Sequence, residues 1–328
     1  MVLQNIRNFK IEFAVANIII GFLISAVVIP MPNIAYSQPI PYVLNVENIN
    51  TANNKAVILT FDDGYKSQYT NAKPILDKYG YKATFYIVCN YVENNGRLTW
   101  EDITSLYKEG YDIGSHTMNH ADLSQTSKKE TSYEIGESKQ CLLNHGINAT
   151  SFAYPFNGGT DEAAVVNTVA KYYDIARTAK SASEPIMYLH CDGFKEEESS
   201  QTDCRTFSDD DDGDDDAELA FANKCSIMHW SHHADRSKNS YDDSEMLDRI
   251  IEVVNIPSIY NTNGTINAIP IIIWHRIDNS GEDDPEAYAT TIDLFKKEIK
   301  YLHDNGFKVL TMADLGSDEN SNYLYIKK

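Results

Sequence analysis

The sequence is short of positive charge: 28 Lys and Arg stand against 48 Asp and Glu over 328 residues, a formal net charge of -20. A surface that grips phosphates must be basic, so nucleic acid is excluded as a partner and neutral or cationic ligands fit better. Cysteine is scarce too. None of Cys89, Cys141, Cys191, Cys204 and Cys225 forms a Cys-x-x-Cys pair, which argues against a zinc ribbon or a thioredoxin-type redox site. The last three flank one polar segment, where a disulfide would close a loop in an oxidising compartment, and the odd count leaves at least one thiol free. After residue 37 no apolar run is long enough to suggest a membrane span.

The one long apolar run, Phe13 to about Ile29, follows Arg7 and Lys10 and is followed by Ala35-Tyr36-Ser37. Basic start, apolar middle and small residues at a cleavage point read as a secretory signal over residues 1–37; uncleaved, residues 13–29 would make a marginal membrane anchor. The remainder is therefore expected to be secreted or on the outer cell surface. Arg7, Lys10 and Glu12 sum to +1, so the mature chain would carry -21. Its length, roughly 290 residues, is enough for one large α/β domain with a full core.

The chain is organised around Thr60-Phe61-Asp62-Asp63-Gly64, which closes the apolar run Ala56-Val57-Ile58-Leu59. Where a buried strand opens into a Gly-containing turn, two adjacent carboxylates can enter one cleft at different depths, one for a metal and one for a proton. Taken alone, Asp-Asp-Gly is an ordinary turn. After a polar lead-in at 38–54, strand and helix signals alternate. Helical spacing runs from Ser67 to Tyr79, and Ala83–Val88 is a strand. Thr99-Trp100-Glu101-Asp102 has the form of a capping box, and Tyr111–Ser115 is a strand. A helix opens at Ser127, Ser151–Tyr154 is a strand stopped by Pro155, and a helix starts at Thr160-Asp161-Glu162. Tyr173–Arg177, Pro185–Leu189 and Ser226–Trp230 read as strands. A helix over about 242–255 follows, then the apolar run Ile269–His275, a helix with Leu294, Phe295, Ile299 and Leu302 at helical spacing, and the strand Phe307–Thr311. This pattern predicts an α/β fold, a distorted (β/α) barrel of about seven parallel strands in a single catalytic domain over 55–316. An acidic insertion at 195–220 interrupts it, with seven aspartates between Asp209 and Asp216, and residues 317–328 form a tail. The insertion is self-repelling and solvated. It makes a poor calcium loop, because Ser208 and Leu219 fall where its first and last ligands belong.

In such a barrel the working residues sit at the C-terminal ends of strands. Asp62, Asp63, His116, Tyr154-Pro155-Phe156, Arg177 and His275 all fall there. His116 and His120, four apart in Ser115-His116-Thr117-Met118-Asn119-His120, can meet one ion if the residues between them turn. Two imidazoles with a carboxylate suit zinc, or cobalt or nickel, and leave positions open for water and substrate. His229 and the pair His232-His233 compete with His275 for the role of late site histidine. Trp230 reads as core, with a sugar-stacking role as the alternative.

Taken in order, Thr-Phe-Asp-Asp-Gly, Ser-His-Thr-x-x-His and Ile271-Ile272-Ile273-Trp274-His275 resemble the polysaccharide deacetylases, the NodB-homology carbohydrate esterases, over roughly Lys55 to Leu315. The phrase through Asp278, with Lys300-Tyr301-Leu302 and Gly306–Leu310, is similar to secreted microbial and archaeal members. The resemblance implies that Asp63, His116 and His120 bind a divalent metal, that Asp62 is the general base and His275 the general acid, and that the backbone N–H of Phe156 meets the oxyanion. It implies removal of N-acetyl groups from amino sugars of a polysaccharide or oligosaccharide. The alternatives are an O-acetyl glycan esterase and a catalytically weakened glycan-binding protein of the cell surface. The oligomeric state is not fixed. One position departs from the family: Ala153 stands where an arginine commonly holds the catalytic aspartate, and Arg177 is the candidate replacement. Asp192 and Asp278 are both candidates for the aspartate that orients the acid histidine.

Overall fold

A computed structural model describes residues 55–181, 187–188, 224–225, 227–261, 266–282, 288–318 and 323–327. The signal-like segment 1–37, the lead-in 38–54 and the acidic insertion 195–220 lie outside the described residues, as do Cys191, Cys204 and Asp192.

Seven parallel strands close into a ring: β1 (Ala56–Phe61), β2 (Thr84–Ile87), β3 (Asp112–Ser115), β4 (Ser151–Ala153), β5 (Ile175–Ser181), β6 (Ile227–Ser231) and β7 (Ile271–Trp274), with β7 pairing back onto β1. An eighth, β8 (Lys308–Leu310), pairs with the first half of β1 at Ala56–Ile58, while β7 takes the second half at Ile58–Phe61. The opening strand thus serves two neighbours in turn, which distorts the closure. All six residues of β1 are buried, as a strand covered on both faces requires, and this is why its sequence is a continuous Val-Ile-Leu run and does not alternate.

Alternation still decides where each side chain goes. Val57, Leu59 and Phe61 belong to the large core between barrel and helices, whereas Ala56 and Ile58 belong to a smaller one inside the barrel with Tyr86, Ala153, Ile175, Ile227, Ile271 and Leu310. Counting by twos from these inward positions carries Ile58 to Asp62, Ile175 to Arg177, Ile227 to His229 and Ile271 to His275. The polar residues at the mouth continue the apolar rows of the lumen. Gly114 makes room for this arrangement: a Cβ there would lie 2.3 Å from the ring of the fully buried Tyr86.

Seven α-helices were found among the described residues: α1 (Lys73–Lys78), α2 (Trp100–Lys108), α3 (Lys128–Asn144), α4 (Ala163–Ala170), α5 (His232–Asn239), α6 (Asp243–Asn255) and α7 (Ile292–Asp304). Capping boxes start α2 at Thr99/Asp102, α3 at Ser127/Glu130 and α6 at Asp242/Glu245. On α7 the residues Leu294, Phe295, Ile299 and Leu302 are buried, as their spacing predicts.

Two expectations change, and the tail and the cysteines gain detail. The Ser67–Tyr79 helix opens with a π-turn, Gln68–Ala72, before α1. The Pro185–Leu189 strand is reduced to Met187–Tyr188, which pairs antiparallel with Ala268–Ile269 outside the barrel. The tail forms an antiparallel pair, Leu315–Asp318 with Tyr323–Ile326. Among the described residues a disulfide joins Cys89 to Cys141 and Cys225 is buried and free; the expected crosslink at Cys191 and Cys204 lies outside them. Cys89 and Cys141 are 52 residues apart in sequence, and only the fold, which lays α3 across the end of β2, brings them together.

Candidate active site

The mouth of the barrel holds a cleft of about 350 Å³ lined by Asp62, Asp63, His116, His120, His229 and His275 among others. At its floor the Arg177 guanidinium bonds directly to Asp62 Oδ1. Arg177 is 0% exposed and its guanidinium also lies over the Tyr86 ring at 4.5 Å. Parallel pairing sets Arg177 directly opposite Ala153. Residues opposite each other on paired strands share a face, so the guanidinium reaches the site from one strand over, past an alanine that leaves its path open. Asp62 Oδ2 faces the other way and lies 3.9 Å from His116 Nε2.

Asp63, His116 and His120 offer ligand atoms that all lie within 4.8 Å of one another. His116 Nδ1 donates to the carbonyl of Ala153 at 2.8 Å. That bond fixes the tautomer and leaves Nε2 as a lone pair aimed at Asp63 Oδ1, 3.5 Å away. His120 Nε2 is 3.2 Å from the same oxygen, which is buried without a hydrogen bond. Burial brings the His116 pKa down to about 4, against the opposing pull of Asp62, so the ring is neutral and able to ligate at neutral pH. Burial would raise the Asp63 carboxyl, but His120, with His275 and His116 behind it, outweighs burial and holds it well below the usual carboxylate range. Two imidazoles and one anionic oxygen converging on one point fit a divalent cation.

The backbone here is strained. Asp63, Thr117, His120, Phe156, Asn157 and Tyr288 all have positive φ without being glycine, and such outliers collect where a site over-determines the chain. The His116–His120 loop is held by groups the sequence did not reveal. Glu134 of α3 is buried and accepts the N–H of Met118 at 3.0 Å, that of Asn119 at 2.9 Å and the Asn119 amide at 2.6 Å. Cys89 and Asn90 donate their N–H groups to Thr117 and Met118, and Cys89 is itself tied to α3 through Cys141. Gln68, buried in the π-turn, donates to the carbonyls of both Asp62 (2.5 Å) and His275 (2.7 Å), stapling the ends of β1 and β7. Arg97 donates to the carbonyl of Asp63 at 2.8 Å. None of these has a local sequence signature, since each is a long-range side-chain bond to backbone.

The rival histidines separate. His232 bonds Glu298 at 2.7 Å inside the protein, and His233 meets Ser237 at 3.2 Å and stacks on Tyr288. His229 and His275 both line the cleft. Burial, with Arg177 and His275 adding to it, pushes the His229 pKa well below its ordinary value, so it is a neutral imidazole. His275 Nδ1 is buried with no hydrogen bond. Asp278 turns to Arg276 and Ser280, so it does not hold the His275 ring. Trp230 is buried and donates to Asp235, a core role. Phe156 lines the cleft with its ring against His120 at 4.5 Å.

A sequence profile of the polysaccharide deacetylase family matches residues 49–175. A peptidoglycan-N-acetylglucosamine deacetylase of Bacillus cereus is 35% identical over 89 residues, 27% of this chain and 40% of its own length. A chitin deacetylase of Arthroderma benhamiae is 31% identical over 128 residues, 37% of this chain and 33% of its own. The chain thus spans two fifths or less of these relatives. The family 4 carbohydrate esterase of Streptomyces lividans, solved with acetate, superposes over 84% of this chain and 100% of its own at a TM-score of 0.48 and 13% identity. The matched stretch, residues 49–175, carries Asp62, Asp63, His116 and His120, and over it this chain is similar to the polysaccharide deacetylases.

Proposed function

We propose that the protein is a metal-dependent hydrolase that removes N-acetyl groups from amino sugars of a polysaccharide or oligosaccharide. The observation that carries this reading is the convergence of Asp63, His116 and His120 beside the Arg177–Asp62 pair and His275 in one cleft. Asp63, His116 and His120 would hold the metal; two imidazoles and a carboxylate suit zinc, with cobalt or nickel as alternatives. When bound, the metal supplies a Lewis acid for the acetyl carbonyl and the attacking water. Arg177 holds Asp62 by one oxygen and leaves the other free to take the proton of that water. His275 returns a proton to the leaving amine, and the Phe156 N–H donates to the developing oxyanion. The Cys89–Cys141 disulfide and the signal-like N-terminus support work outside the cytoplasm.

The test is acetate release from N-acetylglucosamine oligomers by the full chain. Release abolished by chelator, restored by zinc or cobalt and absent in Asp62→Asn is the expected result. Release only from O-acetylated glycans, with free hydroxyl and no free amine, would replace the amidase by an esterase. Metal binding without any release would leave a glycan-binding protein.

A further inference from the structure

Two of the eight non-glycine residues with positive φ among the described residues, Phe156 (φ 54) and Tyr288 (φ 51), carry large exposed rings, and both line the cleft. Phe156 lies on the metal side against His120. Tyr288 lies on the other side, beyond the stretch that matches the family, and its position is built. The short pair Arg276–Ile277 with Ala289–Thr290 anchors it, and its own carbonyl accepts the N–H of Arg276, the residue after His275. Its ring stacks on His233 at 3.9 Å and meets the edge of His275 at 5.3 Å. His233 is fixed in turn by Ser237, and burial brings its pKa to about 4, so a neutral ring backs the tyrosine.

A bulky side chain at positive φ is an outlier that costs stability, and leaving 51% of it in water recovers little by burial. Folding therefore gives no account of Tyr288. Its ring is supported from beneath and open to the cleft, and the C–H face of a sugar ring stacks on such a surface. We propose that Tyr288 is a sugar-binding platform beside His275, taking the ring next to the one whose acetamide enters the metal side, so that the site favours a chain of sugars over a single unit. The identity of the sugar as an N-acetylated hexosamine rests on the proposed function.

The test is binding of N-acetylglucosamine dimer and tetramer to the full chain by titration calorimetry, with wild type, Tyr288→Ala and Tyr288→Trp, together with a thermal melt of each. Loss of one stacked ring should weaken tetramer binding roughly three- to tenfold in Tyr288→Ala, with less change for the dimer, and Tyr288→Trp should restore it. Equal affinities in wild type and Tyr288→Ala, or a loss that tracks a lowered melting temperature and is not rescued by tryptophan, would overturn the platform. Tetramer binding that depends on Tyr288 without acetate release would remove the deacetylase reading and leave the platform standing.

Discussion

The Arg177–Asp62 pair admits a quantitative test that needs no substrate. Both side chains are buried, at 0% and 4% exposure, and each is the other's charge partner. Arg177→Met keeps the apolar volume against Tyr86 but leaves the Asp62 carboxylate buried without its guanidinium, a change that costs on the order of 3–5 kcal/mol. Asp62→Asn leaves the guanidinium uncompensated and should cost a similar amount. The double variant buries neither charge. It should be less destabilised than the sum of the singles by about 2–3 kcal/mol, and no worse than the worse single. Urea denaturation of all four proteins at pH 7 in chelator gives this coupling free of any metal contribution. The two singles should also lower acetate release about a hundredfold or more, since Asp62 loses either its proton-accepting oxygen or its fixed orientation. A coupling below about 0.5 kcal/mol would mean that the two groups do not form a desolvated pair. Arg177 could then not be the replacement for the arginine missing at position 153.

Other outcomes follow from the same structure. Glu134→Gln swaps one accepting oxygen for an amide against the Met118 and Asn119 donors, so zinc affinity measured by chelator competition should fall about 10–100-fold while the metal-free melt changes little. Gly114→Ala drives a methyl into Tyr86 and should destabilise by about 1–3 kcal/mol by urea denaturation. Asp112 has its pKa raised to about 6 from 3.8, burial outweighing its bonds from Thr84 and Ala313. The neutral form is therefore favoured in the folded state, and this contribution is full below about pH 4 and lost as pH rises through 6. Asp112→Asn, whose amide oxygen still accepts, should gain up to about 3 kcal/mol over wild type at pH 8 and nothing at pH 3.5. Replacing both Cys89 and Cys141 by serine opens a loop of 52 residues and should cost on the order of 4 kcal/mol in the chain-entropy treatment, with Cys225 staying unreactive to thiol reagents until the protein unfolds.

Much of the site can be read in the sequence because the barrel obeys a period of two. Once Ile58, Ile175 and Ile271 are lumen residues, Asp62, Arg177 and His275 must face the mouth. Strand ends are found from local signals alone, so the placement of Asp63, His116 and His120 follows as well. What the sequence hides is held by pairing across distance. Nothing near Cys89 points to Cys141, and nothing in α3 marks Glu134 as the acceptor for a loop 15 residues earlier. A crosslink such as Cys89–Cys141 is set by which helix crosses which strand end.

The same distinction explains the missing arginine. In a single strand, Ala153 says only that no guanidinium comes from that position. The register of β4 against β5 adds that position 177 lies at the same height and on the same inward face. Alanine at 153 then has a double consequence: its small side chain leaves the lumen open to the guanidinium, and its carbonyl is the acceptor that fixes the His116 tautomer. Bringing the arginine back to 153 while removing it from 177 would place the guanidinium on the strand that also orients His116. Ala153→Arg with Arg177→Ala should therefore regain part of the activity lost in Arg177→Ala if only the charge beside Asp62 matters. It should regain none if the path into the lumen belongs to β5 alone. Acetate release from the three proteins, compared at equal zinc occupancy, decides between a transferable charge and a fixed entry point.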